Sequence, residues 1–177
     1  MSRLRTMDPT EATGLVAETF ASIKRAAGMI PNAYLTIGTH SPEGLEAMLR
    51  LDEVVAQSEI SDADLETIRL VVSEWTGCPY CIAAHSLKAK FSGLTHKVIS
   101  NIRGGSYTGD FRRDALIEFV RNIVSSKGTL GLEAVDLIIA AGYSERQLIG
   151  ISLTIASTMF TSTVNRINDT AIDYPEF

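Results

Sequence analysis

Residues that begin and end helices recur along this sequence, and they constrain its fold more than any other feature. Gly28 and Gly77 end stretches in which apolar residues return at helical spacing, such as Leu65, Ile68 and Val72. The chain has no run of alternating apolar and polar residues, and it has no Asn-Gly or Asp-Gly dipeptide of the kind that turns a β-hairpin. We therefore predict an all-α fold.

The same signals predict eight helices and most of their boundaries. The first two run from about Thr10 to Ala27 and from Ser41-Pro42 to about Gln57, with residues 30–32 as the connection after the first. The next two run from Ser61 to Thr76 and from Cys78-Pro79 to about Ser92, and four more begin at Thr95, Asp110, Leu130 and Ser144. Gln147 completes the pattern of a reciprocal capping box with Ser144.

Length and composition are those of one soluble globular domain. A chain of 177 residues can bury a hydrophobic core, and its 45% apolar and 21% charged residues are close to the average for soluble proteins. The net charge is −5, and the scattered Arg and Lys residues provide no basic surface for nucleic acid or an anionic membrane. We therefore expect neither of these partners.

The cysteine content indicates the compartment. Two cysteines are too few for a disulfide scaffold, and the N-terminal residues lack the apolar core of a signal peptide. We therefore expect a cytoplasmic protein. In that compartment a close cysteine pair is more often catalytic or metal-binding than structural.

One long uncharged stretch could be mistaken for a membrane span. Residues 147–165 are long enough to cross a bilayer, but their three Ser and four Thr would be poorly placed against lipid. Apolar side chains surround most of this predicted helix, more than one packed face requires. We therefore predict a buried helix that is covered in part by another subunit.

The residues that carry chemistry lie at one helix start. With Cys78 as the N-cap and Pro79 at the first helical position, Cys81 and His85 follow on the same face. Cys81 and His85 are one helical turn apart, a spacing at which an imidazole can accept a thiol proton. Unpaired amides and the helix dipole favour a thiolate in the first turn. This geometry suits a dithiol that cycles through a disulfide.

Glu66 adds a third group if the chain reverses direction at Thr76-Gly77. Two antiparallel helices joined there would bring Glu66 level with His85, where its carboxylate would fix the tautomer of the imidazole and raise its basicity. Without the neighbouring motif, Glu66 could equally be a surface partner of Arg69.

These residues form the pattern Glu-x11-Cys-x2-Cys-x3-His, and the chain continues with Gly93-Leu94-Thr95, Gly142-Tyr143-Ser144 and Asn165-Arg166-Ile167-Asn168-Asp169. Together these stretches resemble the alkyl hydroperoxidase D and carboxymuconolactone decarboxylase superfamily, in its peroxidase-related branch. The resemblance covers residues 41–173 as the core of a single all-helical domain, 1–177, in which residues 1–40 form an N-terminal helical extension. It implies a compact multi-helix bundle that assembles into trimers or hexamers.

The resemblance also implies a role for each site residue. Cys81 becomes sulfenic acid when a hydroperoxide attacks, Cys78 acts as proton donor and resolving thiol, and Glu66 and His85 form the proton relay. We therefore predict an antioxidant thiol peroxidase that needs no cofactor or metal and is restored by an external thiol reductant. Tyr80 stands where the best-studied members have His, and a tyrosine with an ordinary pKa of about 10 does not carry protons easily near neutral pH.

Other functions remain open at this point. A carboxymuconolactone decarboxylase-like enzyme and a non-catalytic thiol redox sensor are the main alternatives. A glutaredoxin is disfavoured because a helix, not a strand, is predicted before Cys78-Pro79-Tyr80-Cys81. A zinc site of Cys78, Cys81 and His85 would need His40, His96 or Glu66 as its fourth ligand, and the chain has no second cysteine pair.

Three aromatic residues and one cation near the motif also receive predictions. Trp75, Tyr80 and Phe91 are expected in the core or in a pocket wall, and Lys88 is expected to be an exposed charge.

Overall fold

The structure is a computed structural model that describes residues 2–175. Nine α-helices form within these residues, after a short 3-10 helix at Pro9–Glu11, and no strand occurs among them. The all-α prediction is therefore confirmed. The helices are α1 (Gly14–Ala27), α2 (Asn32–His40), α3 (Pro42–Ala56), α4 (Asp62–Thr76), α5 (Pro79–Phe91), α6 (His96–Gly104), α7 (Phe111–Ser125), α8 (Leu132–Ala140) and α9 (Glu145–Asn168). The predicted domain also includes residues 1, 176 and 177, which lie outside the described residues.

Local capping explains most of the helix starts. The side chain of the N-cap residue accepts a hydrogen bond from a backbone amide of the first turn in six helices, namely at Ser41, Ser61, Cys78, Thr95, Asp110 and Ser144. The capping box of Ser144 and Gln147 is complete in both directions. These six predicted starts are confirmed.

Two predicted helix boundaries are wrong, and one helix is missing from the prediction. Thr10 belongs to the 3-10 helix, because the chain becomes extended at Ala12 before α1 begins at Gly14. The helix predicted from Leu130 begins at Leu132, after Gly131. Helix α2 was not predicted because its first amide, on Asn32, is capped by a distant group rather than by a neighbouring residue.

Two hydrophobic cores hold the bundle together. The larger one is centred on α4, which packs against α7 and α9, and its most buried residues include Ile68, Leu116 and Ile151. The smaller one joins α1, α2 and α3 through residues such as Phe20 and Leu45. The three N-terminal helices therefore pack against one another around an apolar core of their own.

The path of the chain between α4 and α5 positions the cysteine pair. Gly77 ends α4 with a left-handed φ of 63°, and the chain reverses into α5, which packs against α4. Helix α9 crosses α3, α4 and α5. A small cluster of Ala33, Cys78, Tyr80 and Cys81 then joins α2 to the first turn of α5.

Helix α9 is, among residues 2–175, the one helix long and apolar enough to cross a membrane by length and composition alone. Core helices of soluble proteins pass the same test, and 44% of its apolar window is buried inside the bundle. Ile149, Phe160 and Ile167 remain exposed on its outer side. The helix is therefore partly buried as predicted, while its burial by another subunit stays a prediction.

The expectation that Trp75 lies in the core or a pocket wall is wrong, whereas Phe91 lies outside the core but borders an open depression beside Glu66 and Lys88. Trp75 is 49% exposed and Phe91 is 79% exposed. Each lies in the last turn of its helix, α4 or α5, where the bundle no longer covers the side chain.

Candidate active site

The first turn of α5 holds both cysteines. Cys78 is the N-cap, its Sγ accepts a hydrogen bond from the backbone N–H of Cys81 at 3.3 Å, and Pro79 occupies the first helical position. Both thiols are free and almost fully buried. The two sulfurs therefore lie together at a helix N-terminus, as the sequence predicts.

Hydrogen bonds give the two thiols different acidities. Cys81 Sγ accepts hydrogen bonds from Ser162 Oγ at 3.3 Å and from Asn165 Nδ2 at 3.4 Å, both on α9. A hydrogen bond from the Cys78 thiol, together with these two donors, outweighs burial and lowers the pKa of Cys81 to about 7. The same hydrogen bond, together with burial, raises the pKa of Cys78. Cys81 is therefore the more acidic thiol of the pair, and Cys78 keeps its proton.

Glu66 contacts both of the partners considered for it in the sequence. Its Oε2 lies 2.8 Å from His85 Nδ1, and its Oε1 accepts a hydrogen bond from Arg69 Nη1 at 2.6 Å. Burial raises the pKa of Glu66, but His85 and Arg69 outweigh it, so the pKa falls to about 2. The carboxylate is therefore ionised near neutral pH and accepts hydrogen bonds from both partners.

The contact with Glu66 determines the state of the imidazole. Burial lowers the pKa of His85, although Glu66 acts in the opposite direction, so His85 is neutral near pH 7. An ionised carboxylate can only accept a hydrogen bond, which places the proton on Nδ1 and leaves Nε2 as the basic nitrogen. The arrangement suits proton transfer at Nε2.

A polar network extends from Glu66 to two further helices. Arg69 Nη2 lies 3.7 Å from Asp52 Oδ1 on α3, and that oxygen accepts a hydrogen bond from Ser157 Oγ on α9 at 2.9 Å. Four helices, α3, α4, α5 and α9, therefore hold the pair of Glu66 and His85 in place.

A cavity of about 50 Å³ connects the thiolate with the imidazole. Its walls include Cys81, His85, Tyr80, Asn165, Lys88 and Tyr174. Cys78 instead borders a second depression of about 430 Å³, between the start of α5 and the end of α9. The two cysteines therefore face different openings.

Tyr80 forms a wall of the cavity. Its hydroxyl accepts a hydrogen bond from the backbone N–H of Ala33 at 3.2 Å, and its ring meets Tyr174 edge to face. Burial, aided by the negative charge that Tyr174 would carry when ionised, raises the pKa of Tyr80. Tyr80 therefore stays protonated. Its contacts with Ala33 and Tyr174 fix the position of its ring in the cavity wall.

The structure brings together Glu66, Cys78, Cys81 and His85, and their catalytic roles stay predictions. Lys88 is exposed as predicted, yet it also borders the cavity. Sequence reasoning did not identify Ser162, Asn165 and Tyr174. Ser162 and Asn165 are polar residues one turn apart on α9, but that helix carries many other Ser and Thr residues, so nothing local in the sequence singles these two out.

Two alternatives lose support. Within the described residues, no group of three or more His, Cys, Asp or Glu side chains is placed to hold a metal ion. His40 contacts the backbone oxygen of Arg5 at 2.8 Å, which gives it another partner. A glutaredoxin is excluded because helix α4 precedes the cysteine pair and no strand occurs in residues 2–175.

Comparison with known proteins finds a family model and a relative that match part of this sequence. The sequence model of the carboxymuconolactone decarboxylase family matches residues 42–108, which include all four predicted catalytic residues. "Uncharacterized protein YdfG" of Bacillus subtilis (strain 168) is 34% identical over 59 residues, 33% of this chain and 40% of that relative. The matched segment therefore spans less than half of that protein.

Solved structures show the same fold at low sequence identity. The AhpD-core, uncharacterized peroxidase-related protein from Ralstonia eutropha JMP134 superposes with a TM-score of 0.88 at 15% identity, over 97% of this chain and 92% of its own. A peroxidase-related protein from Silicibacter sp. TM1040 gives 0.81 at 18%, over 97% and 94%. The debrominase Bmp8, in complex with 2,3,4-tribromopyrrole, gives 0.80 at 20%, over 98% and 94%.

The fold is therefore that of the AhpD-like helical proteins. Together with the match over residues 42–108, it confirms the resemblance to the alkyl hydroperoxidase D and carboxymuconolactone decarboxylase superfamily.

Proposed function

We propose that this protein is a thiol peroxidase that reduces hydroperoxides through Cys81 and Cys78. One observation carries the proposal: Cys81, the more acidic thiol, lines the same small cavity as the neutral imidazole of His85. A peroxidatic cysteine must be a thiolate, and it needs a nearby group that supplies a proton to the leaving oxygen. Both requirements meet in this cavity.

The first step oxidises Cys81. His85 Nε2 accepts the thiol proton, and the thiolate attacks the terminal oxygen of the hydroperoxide. A sulfur–oxygen bond forms while the oxygen–oxygen bond breaks, and the departing alkoxide takes the proton back from His85. The products are the sulfenic acid of Cys81 and an alcohol, or water when the substrate is hydrogen peroxide.

The second step forms a disulfide within the first turn of α5. The sulfur of Cys78 attacks that of Cys81, so a sulfur–sulfur bond forms, the sulfur–oxygen bond breaks, and the hydroxide leaves as water with the proton of Cys78. Both sulfurs belong to the same helical turn, which favours this reaction over attack by an outside thiol.

An external dithiol then restores the enzyme. Its thiolate attacks Cys78, because Cys81 has the lower pKa and is the better leaving group. The depression that Cys78 borders gives this attack a route separate from the peroxide cavity. The second thiol of the reductant attacks the mixed disulfide and releases Cys78 as a thiol.

A turnover assay tests the proposal. Peroxide consumption is followed with excess dithiothreitol for the wild type, Cys81→Ser and Cys78→Ser; each variant keeps one thiol. We expect many turnovers for the wild type, none for Cys81→Ser, and one equivalent of rapid oxidation for Cys78→Ser. A wild type that stops after about one equivalent would instead indicate a redox sensor.

Two other enzymatic outcomes would replace the proposal. Activity on a muconolactone-type substrate that survives Cys81→Ser would indicate decarboxylase-like chemistry. Thiol-dependent release of bromide from a brominated pyrrole, with no peroxide turnover, would indicate the chemistry for which Bmp8 is named.

A further inference from the structure

The C-terminal tail, residues 169–175, forms one wall of the cavity that Cys81 faces. Helix α9 ends at Asn168, and Asp169 turns the chain with a left-handed φ of 51°. Tyr174 then lines the cavity, and its ring centroid lies 5.5 Å from that of Tyr80 in an edge-to-face contact. A side chain far from the cysteine motif in sequence therefore limits the space beside it.

Hydrogen bonds hold this tail in a defined position. Asp173 Oδ2 accepts a hydrogen bond from the backbone N–H of Asn32 at 2.7 Å, and Asn32 Nδ2 donates to the carbonyl oxygen of Ala171 at 3.0 Å. The backbone N–H of Ala171 also donates to Ser2 Oγ at 3.1 Å. Asp173 and Ala171, which make these hydrogen bonds, lie one and three residues before Tyr174. They therefore hold the backbone next to Tyr174 in position and fix its ring against the cavity.

The volume of the cavity sets a limit on what it can hold. It measures about 50 Å³, whereas a protein cavity that binds benzene measures roughly 150 Å³. A hydroperoxide group with a small alkyl substituent fits into this space. An aromatic ring next to the reacting oxygen needs room that the wall formed by Tyr174 and Tyr80 occupies.

We propose that Tyr174 determines substrate size, so that the protein reduces hydrogen peroxide and small alkyl hydroperoxides and excludes those with a ring beside the peroxide group. This inference rests on the proposed peroxidase function, and the oxidation of Cys81 follows the step described above. Tyr174 limits access by its bulk and takes no part in proton transfer.

The test compares rates for a small and a large hydroperoxide. Oxidation of Cys81 by hydrogen peroxide and by cumene hydroperoxide is followed by quench and mass spectrometry in a Cys78→Ser background. We expect Tyr174→Ala to raise the cumene hydroperoxide rate about tenfold relative to the hydrogen peroxide rate, a typical effect of pocket size on discrimination. Tyr174→Phe keeps the ring and should leave the ratio unchanged.

Ile172→Ala is the matched control within the same tail. Ile172 is 50% exposed and borders the other depression, so this variant should leave the ratio of rates unchanged. The inference would be overturned if Tyr174→Ala left the ratio of the cumene hydroperoxide rate to the hydrogen peroxide rate unchanged. It would also be overturned if the Cys78→Ser protein with Tyr174 intact reacted equally fast with both peroxides.

A second readout separates this inference from the proposed function. Labelling of Cys81 by small methyl methanethiosulfonate and by bulky N-phenylmaleimide reports the width of the opening without any peroxide chemistry. We expect Tyr174→Ala to accelerate only the bulky reagent. Suppose that Tyr174→Ala accelerates labelling by the bulky reagent, but peroxide oxidises Cys81 no faster than an ordinary thiol. The proposed peroxidase function then fails, while the role of Tyr174 as a wall of the cavity stands. If the labelling shift is absent, the wall itself is refuted.

Discussion

Replacing Glu66 with Gln removes the charge at the centre of the buried network while keeping the shape of the side chain. The pKa of Glu66 falls from an ordinary 4.5 to about 2 because His85 and Arg69 outweigh the cost of its burial. A difference of this size corresponds to about 3 kcal/mol in favour of the ionised form in the folded protein. Gln resembles the protonated form, so Glu66→Gln should lower the free energy of unfolding at pH 7 by about 3 kcal/mol.

The assay is urea unfolding at pH 7, followed by circular dichroism at a helix wavelength. Glu74→Gln is the matched control, because Glu74 lies on the same helix and pairs with Arg103 at 2.7 Å, but with both side chains about one third exposed. An exposed pair of this kind contributes only about 0.5 kcal/mol. The reasoning would be refuted if Glu66→Gln cost no more stability than Glu74→Gln.

Three further predictions follow from the same contacts. The rate of Cys81 oxidation should rise with pH through about 7 and level off above it. Asn165→Ala should move the midpoint of this rise upward, because the thiolate of Cys81 loses a hydrogen-bond donor. A pH–rate profile of each protein checks both expectations. Light scattering should give a multiple of the single-chain mass for the wild type and the single-chain mass for Phe160→Glu, and a wild type that is already a single chain would contradict this. Asp173→Ala should lower the free energy of unfolding by about 1 kcal/mol, because the first amide of α2 loses its cap; equal urea midpoints for variant and wild type would show that the cap is dispensable.

The sequence predicts those features that depend on neighbouring residues. Six helix starts follow from a side chain that caps its own first turn, as at Ser41 and Thr95. The contact between Glu66 and His85 could also be anticipated, because a single tight turn at Gly77 connects the helices that carry them. In each of these cases, interactions between residues close together in the sequence are sufficient to determine the structure.

Features that depend on distant residues could not be predicted in this way. The cap of α2 comes from Asp173, 141 residues after Asn32. The donors to Cys81 lie on α9, 81 and 84 residues further along the chain, and Tyr174 reaches the cavity from the tail. Which face of α9 meets Cys81 is decided by the packing of the whole bundle, and a single sequence contains no local signal for it.

The central claim is that Cys81, and not Cys78, reacts with the peroxide. Its most direct test treats Cys78→Ser and Cys81→Ser separately with one equivalent of hydrogen peroxide in the presence of dimedone, which traps sulfenic acid, and locates the adduct by peptide mass spectrometry. The account predicts rapid labelling of Cys81 in the first variant and little labelling of Cys78 in the second. The hydrogen bond from Cys78, together with those from Ser162 and Asn165, lowers the pKa of Cys81, whereas the pKa of Cys78 is raised. Equal labelling of both thiols, or faster labelling of Cys78, would contradict it.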